Sequence, residues 1–236
     1  MPSESTSSGP FFFMHLQKTA GTALWQRLND AFEPHELYPG PGDGEPPIST
    51  LAVDNLVQRW GARGSEIRVV AGHFPLCVTD LLGGEFTTFS VLREPVERIV
   101  SGLGHYRDTE PGMAHASLEE IYDDPLRQLL LRNHMVKMLS LTTAEMTNGA
   151  FTEVEFTHER TQRAIEAARG MDVIGVQERF DDFCDTLAQR FGWDLGRPRF
   201  ANRSSGSEVS AGLRSRITAD NEADIELYEV VRTHAI

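Results

Sequence analysis

Residues 11–28 read FFFMHLQKTAGTALWQRL, and the change of pattern inside this stretch decides the fold. The apolar run at 11–15 suits a short strand buried in a parallel sheet. Residues 16–21 form a loop, and Thr22 opens an amphipathic helix with Leu24, Trp25 and Leu28 on one face. A strand passing through a tight loop into a helix gathers free backbone N–H groups and the positive helix end at one spot. Such a spot binds phosphate or sulfate. Gly21 lets the backbone approach an anion closely, Thr19 and Thr22 add hydroxyl donors, and Lys18 adds a mobile positive charge. The bland alternative is an ordinary strand–helix turn with a solvated lysine.

Outward from this segment the same alternation repeats. Residues 68–72, 87–92 and 171–176 have the β-branched and aromatic content that strands favour. Helical spacing marks 51–60, 118–121, 125–141, 161–169, 180–191 and 220–231. Pro95 is suited to the first turn of a helix running to Tyr106. The segment PGPGDGEPP at 39–47 is irregular and expected to be a mobile surface loop. Residues 108–116 read as a connection and 197–212 as a polar, Ser-rich loop. Strand, loop and helix in this order predict an α/β fold: one domain over 11–236, with a central parallel sheet flanked by helices and a P-loop-like strand-loop-helix at its start.

Composition narrows the partners. With 22 basic and 35 acidic residues the chain carries a formal charge of −13. That balance argues against nucleic acid and against an anionic membrane or long polyanionic sugar. A small anion held by a few local groups is unaffected. Cys77 and Cys184 are far apart and lack metal-ligand spacing, so they are expected as buried thiols. Residues 1–10 are polar, lack a basic leader pattern and read as a disordered tail. No apolar run reaches the roughly 20 residues needed to span a bilayer. The expectation is a soluble, cytoplasmic protein.

A second segment, Arg93-Glu94-Pro95-Val96-Glu97-Arg98-Ile99-Val100-Ser101, also runs from strand to helix. Arg93 falls at the carboxyl end of the strand, where ligands sit in open α/β sheets. Its planar fork suits phosphate, and Ser101 offers a hydroxyl about two turns further on. A nucleotide kinase loop would read G-x-x-x-x-G-K-[ST], with lysine after the glycines. Here Lys18 precedes Gly21, and no upstream glycine completes that pattern. The first segment instead resembles the 5′-phosphosulfate loop of sulfotransferases that use 3′-phosphoadenosine 5′-phosphosulfate (PAPS), commonly P-K-T-[AG]-[GS]-T. Gln17 stands where that family usually has proline, which would loosen the start of the loop. The second segment matches the family's R-[DE]-P-x-x-R-x-x-S pattern for the 3′-phosphate.

The resemblance implies that Lys18, Thr19, Ala20, Gly21 and Thr22 hold the phosphosulfate, and that Arg93 and Ser101 hold the 3′-phosphate. Arg98 looks structural, paired with Glu94 four residues earlier. Residues 133–141, 173–180 and 220–228 resemble later segments of the same superfamily. Related enzymes fold a late loop over the cofactor, which points to Arg203, Ser204 or Ser205.

Sulfuryl transfer needs in-line geometry, charge neutralisation and a base for the acceptor's proton. His73, in Gly72-His73 after a strand, is the chosen base, since an imidazole near its ordinary pKa accepts a hydroxyl proton at neutral pH. That pair resembles the Gly-His motif of the hexuronic acid 2-O-sulfotransferase branch. His105 is a second candidate and a weaker substrate contact, and Glu94 and Glu110 are the acidic alternatives. His15 is read as packing or orienting the loop, and His134 has no special context. The resulting expectation is transfer from PAPS to a hydroxyl of a small-molecule, glycolipid or saccharide acceptor, releasing PAP (the desulfated nucleotide), with no metal assigned. The acidic charge and modest length favour a neutral or small hydroxylated metabolite, as in secondary metabolism. The loops at 39–47 and 108–116 are expected to shape its pocket. The alternatives are an ATP-dependent phosphotransferase and a non-catalytic nucleotide-binding module.

Overall fold

A computed structural model describes residues 9–196 and 209–234. Its five strands are β1 (Phe11–Met14), β2 (Leu37–Tyr38), β3 (Val69–Gly72), β4 (Thr87–Leu92) and β5 (Val173–Val176). They form one all-parallel sheet in the order β2-β3-β1-β4-β5. β1 is central, with Phe11 opposite both Val69 of β3 and Thr87 of β4.

Residues two apart on a strand share a face. Phe11 and Phe13 therefore point one way, where they pack with Val69, Ala71, Phe89 and Val91. That face is covered by α1 (Gly21–Ala31), through Leu24 and Leu28, and by α10 (Phe180–Phe191), through Phe183 and Leu187. Phe12 and Met14 point the other way, into a larger core with Val70, Leu92 and Val176. The intervening helices are α2 (Ile48–Leu51), α3 (Val53–Arg63), α4 (Val78–Leu82), α5 (Pro95–Thr109), α6 (Leu118–Asp123), α7 (Pro125–Leu131), α8 (His134–Ser140) and α9 (His158–Gly170). After α10 come α11 (Ala211–Asp220) and α12 (Glu222–Arg232). The second core takes its cover from α3, α4, α8, α9 and α12.

This strand order fixes where a ligand can sit. The chain moves from β1 to one side of the sheet for β2 and β3, then crosses to the other side for β4 and β5. The order reverses beside β1, so the carboxyl ends of β1 and β4 open a crevice. The Lys18 loop leaves one of these strands and Arg93 ends the other.

Several local expectations are corrected. The helix expected over 125–141 is broken into α7 and α8 at Asn133, whose φ is 42°. Its backbone N–H donates to Asn221 Oδ1 and its side-chain amide to the Asp220 carbonyl, so long-range bonds replace the helical ones. Asn221 likewise separates α12 from α11, which begins at Ala211, inside the stretch expected as a polar loop over 197–212. The 39–47 segment is irregular, as expected, but it is pinned. Asp43 is buried, its carboxylate accepts from Gly40 N and pairs with Arg63, and its carbonyl accepts from Asn55 Nδ2. Cys77 and Cys184 are free and buried. No helix among the described residues is long and apolar enough to cross a membrane.

Candidate active site

The loop after β1 has a backbone few sequences adopt. Lys18 and Ala20 both have positive φ, 66° and 67°, with Thr19 between them. Alternation of this kind turns successive N–H groups into one concavity that suits an anion. α1 begins directly afterwards, and no side chain caps its first N–H groups. Those donors remain available, where at α5 Glu94 has already taken the corresponding ones at Val96 and Glu97.

Thr19 differs from the expectation of a ligand-facing hydroxyl. It is fully buried, and Oγ1 donates to the Leu16 carbonyl at 2.9 Å, bracing the loop from inside. Thr22 is exposed at the second position of α1. The Lys18 ammonium bonds no described residue, and burial followed by the charge of Arg93 holds its pKa below the ordinary lysine value. Gln17 does not leave the loop loose, because its Oε1 accepts from the Tyr106 hydroxyl of α5 at 3.3 Å.

The Lys18 loop and the Arg93 segment meet. Arg93 Nη1 donates to the Lys18 carbonyl at 3.1 Å. The Lys18 stem runs along α5, with its Cγ 3.8 Å from where a β-carbon on Gly102 would sit. Ser101, the neighbouring residue, is buried. The expected Arg98–Glu94 pair is not formed. Glu94 is occupied as the cap of α5, and Arg98 is buried where it faces Asp224 of α12 at 3.8 Å and bonds the Leu131 carbonyl.

His73 follows β3 at the same carboxyl edge. Its backbone N–H donates to the Thr50 carbonyl at 2.8 Å, which seats α2 beside it. Its Nδ1 lies 2.6 Å from the His15 carbonyl. A carbonyl can only accept, so Nδ1 carries the proton and Nε2 keeps a lone pair. Burial lowers the pKa of His73, and the bond to the His15 carbonyl opposes that shift. Neutral imidazole is therefore the resting form near pH 7.

His15 is the residue sequence reasoning undervalued. Its ring stacks on Phe13 at 5.3 Å, tilts against His73 at 4.4 Å, and fills the space beside Gly21. Nothing in residue spacing announces this, since the contact requires β1, β3 and α1 to be in place. His134 was missed for the same reason. It is fully buried behind the site, within reach of the charges of Arg98, Lys137 and His73. His105 is exposed on α5, and local desolvation and the Lys18 ammonium lower its pKa. Glu110 is engaged with Arg127. Arg203 and Ser204, and Ser205 beside them, lie outside the described residues. Among the described residues no group of three or more His, Cys, Asp or Glu side chains is arranged to hold a metal ion.

Fold and site together define an α/β protein that brings the Lys18 loop and Arg93 together at the switch point of a parallel sheet, with the His73 imidazole at the same carboxyl edge. No protein-family model matches the chain, and no curated protein matches it. A solved structure does match: a sulfotransferase from Alicyclobacillus acidocaldarius, 18% identical, with 96% of each chain covered and a TM-score of 0.51. The chain shares the fold of that enzyme over nearly its whole length.

Proposed function

We propose that the protein is a PAPS-dependent sulfotransferase acting on a hydroxyl acceptor. The observation that carries this reading is the bond from Arg93 to the Lys18 carbonyl, which joins two anion-binding segments in one crevice. A nucleotide with phosphates at both its 3′ and 5′ ends needs two such segments at a fixed separation. The residues fit: backbone donors of residues 19–22 and the Lys18 ammonium for the phosphosulfate, and the Arg93 fork with the Ser101 hydroxyl for the 3′-phosphate.

In this reading PAPS supplies the sulfuryl group. His73 Nε2 takes the acceptor's proton as the acceptor oxygen forms its bond to sulfur, and the bond from sulfur to the phosphate oxygen breaks. Lys18 and the loop N–H groups stabilise the charge that develops on that oxygen, and PAP leaves. His105 and the pinned 39–47 loop border the acceptor, whose class is a small hydroxylated metabolite, a glycolipid or a saccharide. The location is the cytoplasm. The fold of the Alicyclobacillus acidocaldarius enzyme supports the reading.

The test is PAP release from PAPS in the presence of pooled hydroxylated metabolites and glycans. The wild-type protein should turn over, and Lys18→Ala should lose ~10²-fold or more, the usual cost of one preorganised donor. Turnover by Lys18→Ala near the wild-type rate would remove the assignment.

A further inference from the structure

We propose that Arg93, besides meeting the nucleotide's 3′-phosphate, positions the Lys18–Thr19 peptide, so that the two ends of the nucleotide site act as one unit. This inference rests on the sulfotransferase reading and adds a coupling that a list of phosphate ligands does not contain.

Arg93 acts through the Lys18–Thr19 peptide plane. Its C=O and N–H are fixed on opposite sides of one rigid unit, so whatever holds the Lys18 carbonyl also aims the Thr19 N–H. Arg93 Nη1 holds that carbonyl at 3.1 Å. The Thr19 side chain cannot take over the task of meeting an anion, because its hydroxyl is spent on Leu16. What residue 19 offers an anion is therefore its backbone N–H, and Arg93 aims it.

The loop needs such a hold. Lys18 has a φ of 66°, a left-handed conformation that residues with a β-carbon rarely adopt unless their surroundings impose it. Among the described residues three side-chain hydrogen bonds hold it: Arg93 on the Lys18 carbonyl, Thr19 on Leu16, and Tyr106 on Gln17. A guanidinium has five donors in a rigid fork, so one N–H on the carbonyl leaves others for a phosphate. A lysine ammonium would bring the charge without that planar fork.

The test is a double-mutant cycle read as PAP affinity by calorimetry on the whole protein. Arg93→Ala and Lys18→Ala should each weaken PAP roughly tenfold or more, the scale of losing a charge-assisted bond. If the two residues merely gripped opposite ends of the nucleotide, the double variant would lose the product of the two factors. Coupling predicts a clear shortfall, with the double variant only slightly weaker than Arg93→Ala. Arg93→Lys, which keeps the charge, should show the same shortfall and covers the case in which the alanine variant does not fold. Thermal melts of each variant separate a folding defect from lost coupling, since a purely structural role would move the melt without non-additivity. Losses that multiply within error in a folded Arg93 variant overturn the inference and leave the sulfotransferase reading intact. A wild-type protein that does not bind PAP removes that reading instead, and this inference with it.

Discussion

The imidazole of His15 occupies the space that a β-carbon on residue 21 would need: such a carbon would lie 1.9 Å from both Nε2 and Cδ2 of the ring. Gly21 is thus required by close approach. The backbone flexibility of glycine is not what is used, because the left-handed residues of this loop are Lys18 and Ala20. The bare Gly21 lets the start of α1 come down onto the ring that also touches His73, so the Lys18 loop and His73 share one contact.

Gly21→Ala should therefore be severe. His15 cannot swing aside freely between Phe13 and His73. Overpacking of this kind costs about 1–3 kcal/mol, and the loop directly preceding Gly21 should shift with it. PAP affinity is expected to fall by roughly tenfold, measured by calorimetry. Adding His15→Ala to Gly21→Ala removes the clash and should restore most of it. No recovery in the double variant would contradict the packing account.

The His73 tautomer gives a pH prediction. Nδ1 is committed to the His15 carbonyl, and burial depresses the pKa below the ordinary histidine value of about 6.5. The base should thus stay unprotonated as pH falls to 6.5, and turnover should decline only below that point. His73→Ala should cost 10²–10⁴-fold in turnover while leaving PAP affinity near wild type. A pH–rate profile with its acid limb above pH 7 would speak against His73 as the base.

Arg98 and Asp224 form a buried pair that ties α5 to α12. Asp224 also accepts from the N–H groups of Met135 and Val136, at 3.2 and 2.8 Å, and so caps α8. Removing one member leaves an unmatched buried charge, so Asp224→Ala should destabilise by about 3–5 kcal/mol in chemical denaturation. The paired change Arg98→Met with Asp224→Leu should cost less, since it deletes both charges. A milder loss in the single variant than in the double would overturn this account.

How much of this was legible beforehand follows from what each signal depends on. β4 and α10 were readable to the residue, because a run of β-branched and aromatic residues and a strong amphipathic period are local properties. The strand-to-helix turns that carry Lys18 and Arg93 were readable because an apolar run followed by helical spacing is a local pattern. Their bond to each other was not, since it depends on β1 and β4 being neighbours. The break at Asn133 was invisible for a similar reason: its partners Asp220 and Asn221 lie nearly ninety residues away. Arg98 offered a plausible partner at four residues' distance in Glu94. The chain used Glu94 for the helix cap instead, and capping roles compete with ion pairs wherever a carboxylate precedes a helix.

His134 supplies a stability test. It is fully buried and neither ring nitrogen has a hydrogen-bond partner in the described structure. Burial, then the charges of Arg98, Lys137 and His73, hold its pKa well below the ordinary value. The unfolded chain therefore takes the proton first as pH drops under about 6.5, and the folded state loses stability from there down to the folded pKa. His134→Leu should be neutral or stabilising at pH 7, because it removes two unsatisfied polar atoms. It should also flatten the fall in melting temperature between pH 6.5 and 5, a window flagged by the ordinary histidine pKa. A variant as acid-sensitive as wild type would rule out His134 as a source of that fall.

The central claim is that the Lys18 loop and Arg93 form a site for a nucleotide carrying phosphates at its 3′ and 5′ ends. Calorimetric titration of the wild-type protein with PAP, set beside ATP with and without Mg²⁺, tests it most directly. The account predicts that PAP binds one to one without Mg²⁺ and much more tightly than ATP. Tight Mg²⁺-dependent ATP binding, with PAP failing to bind, would contradict it and favour phosphoryl transfer.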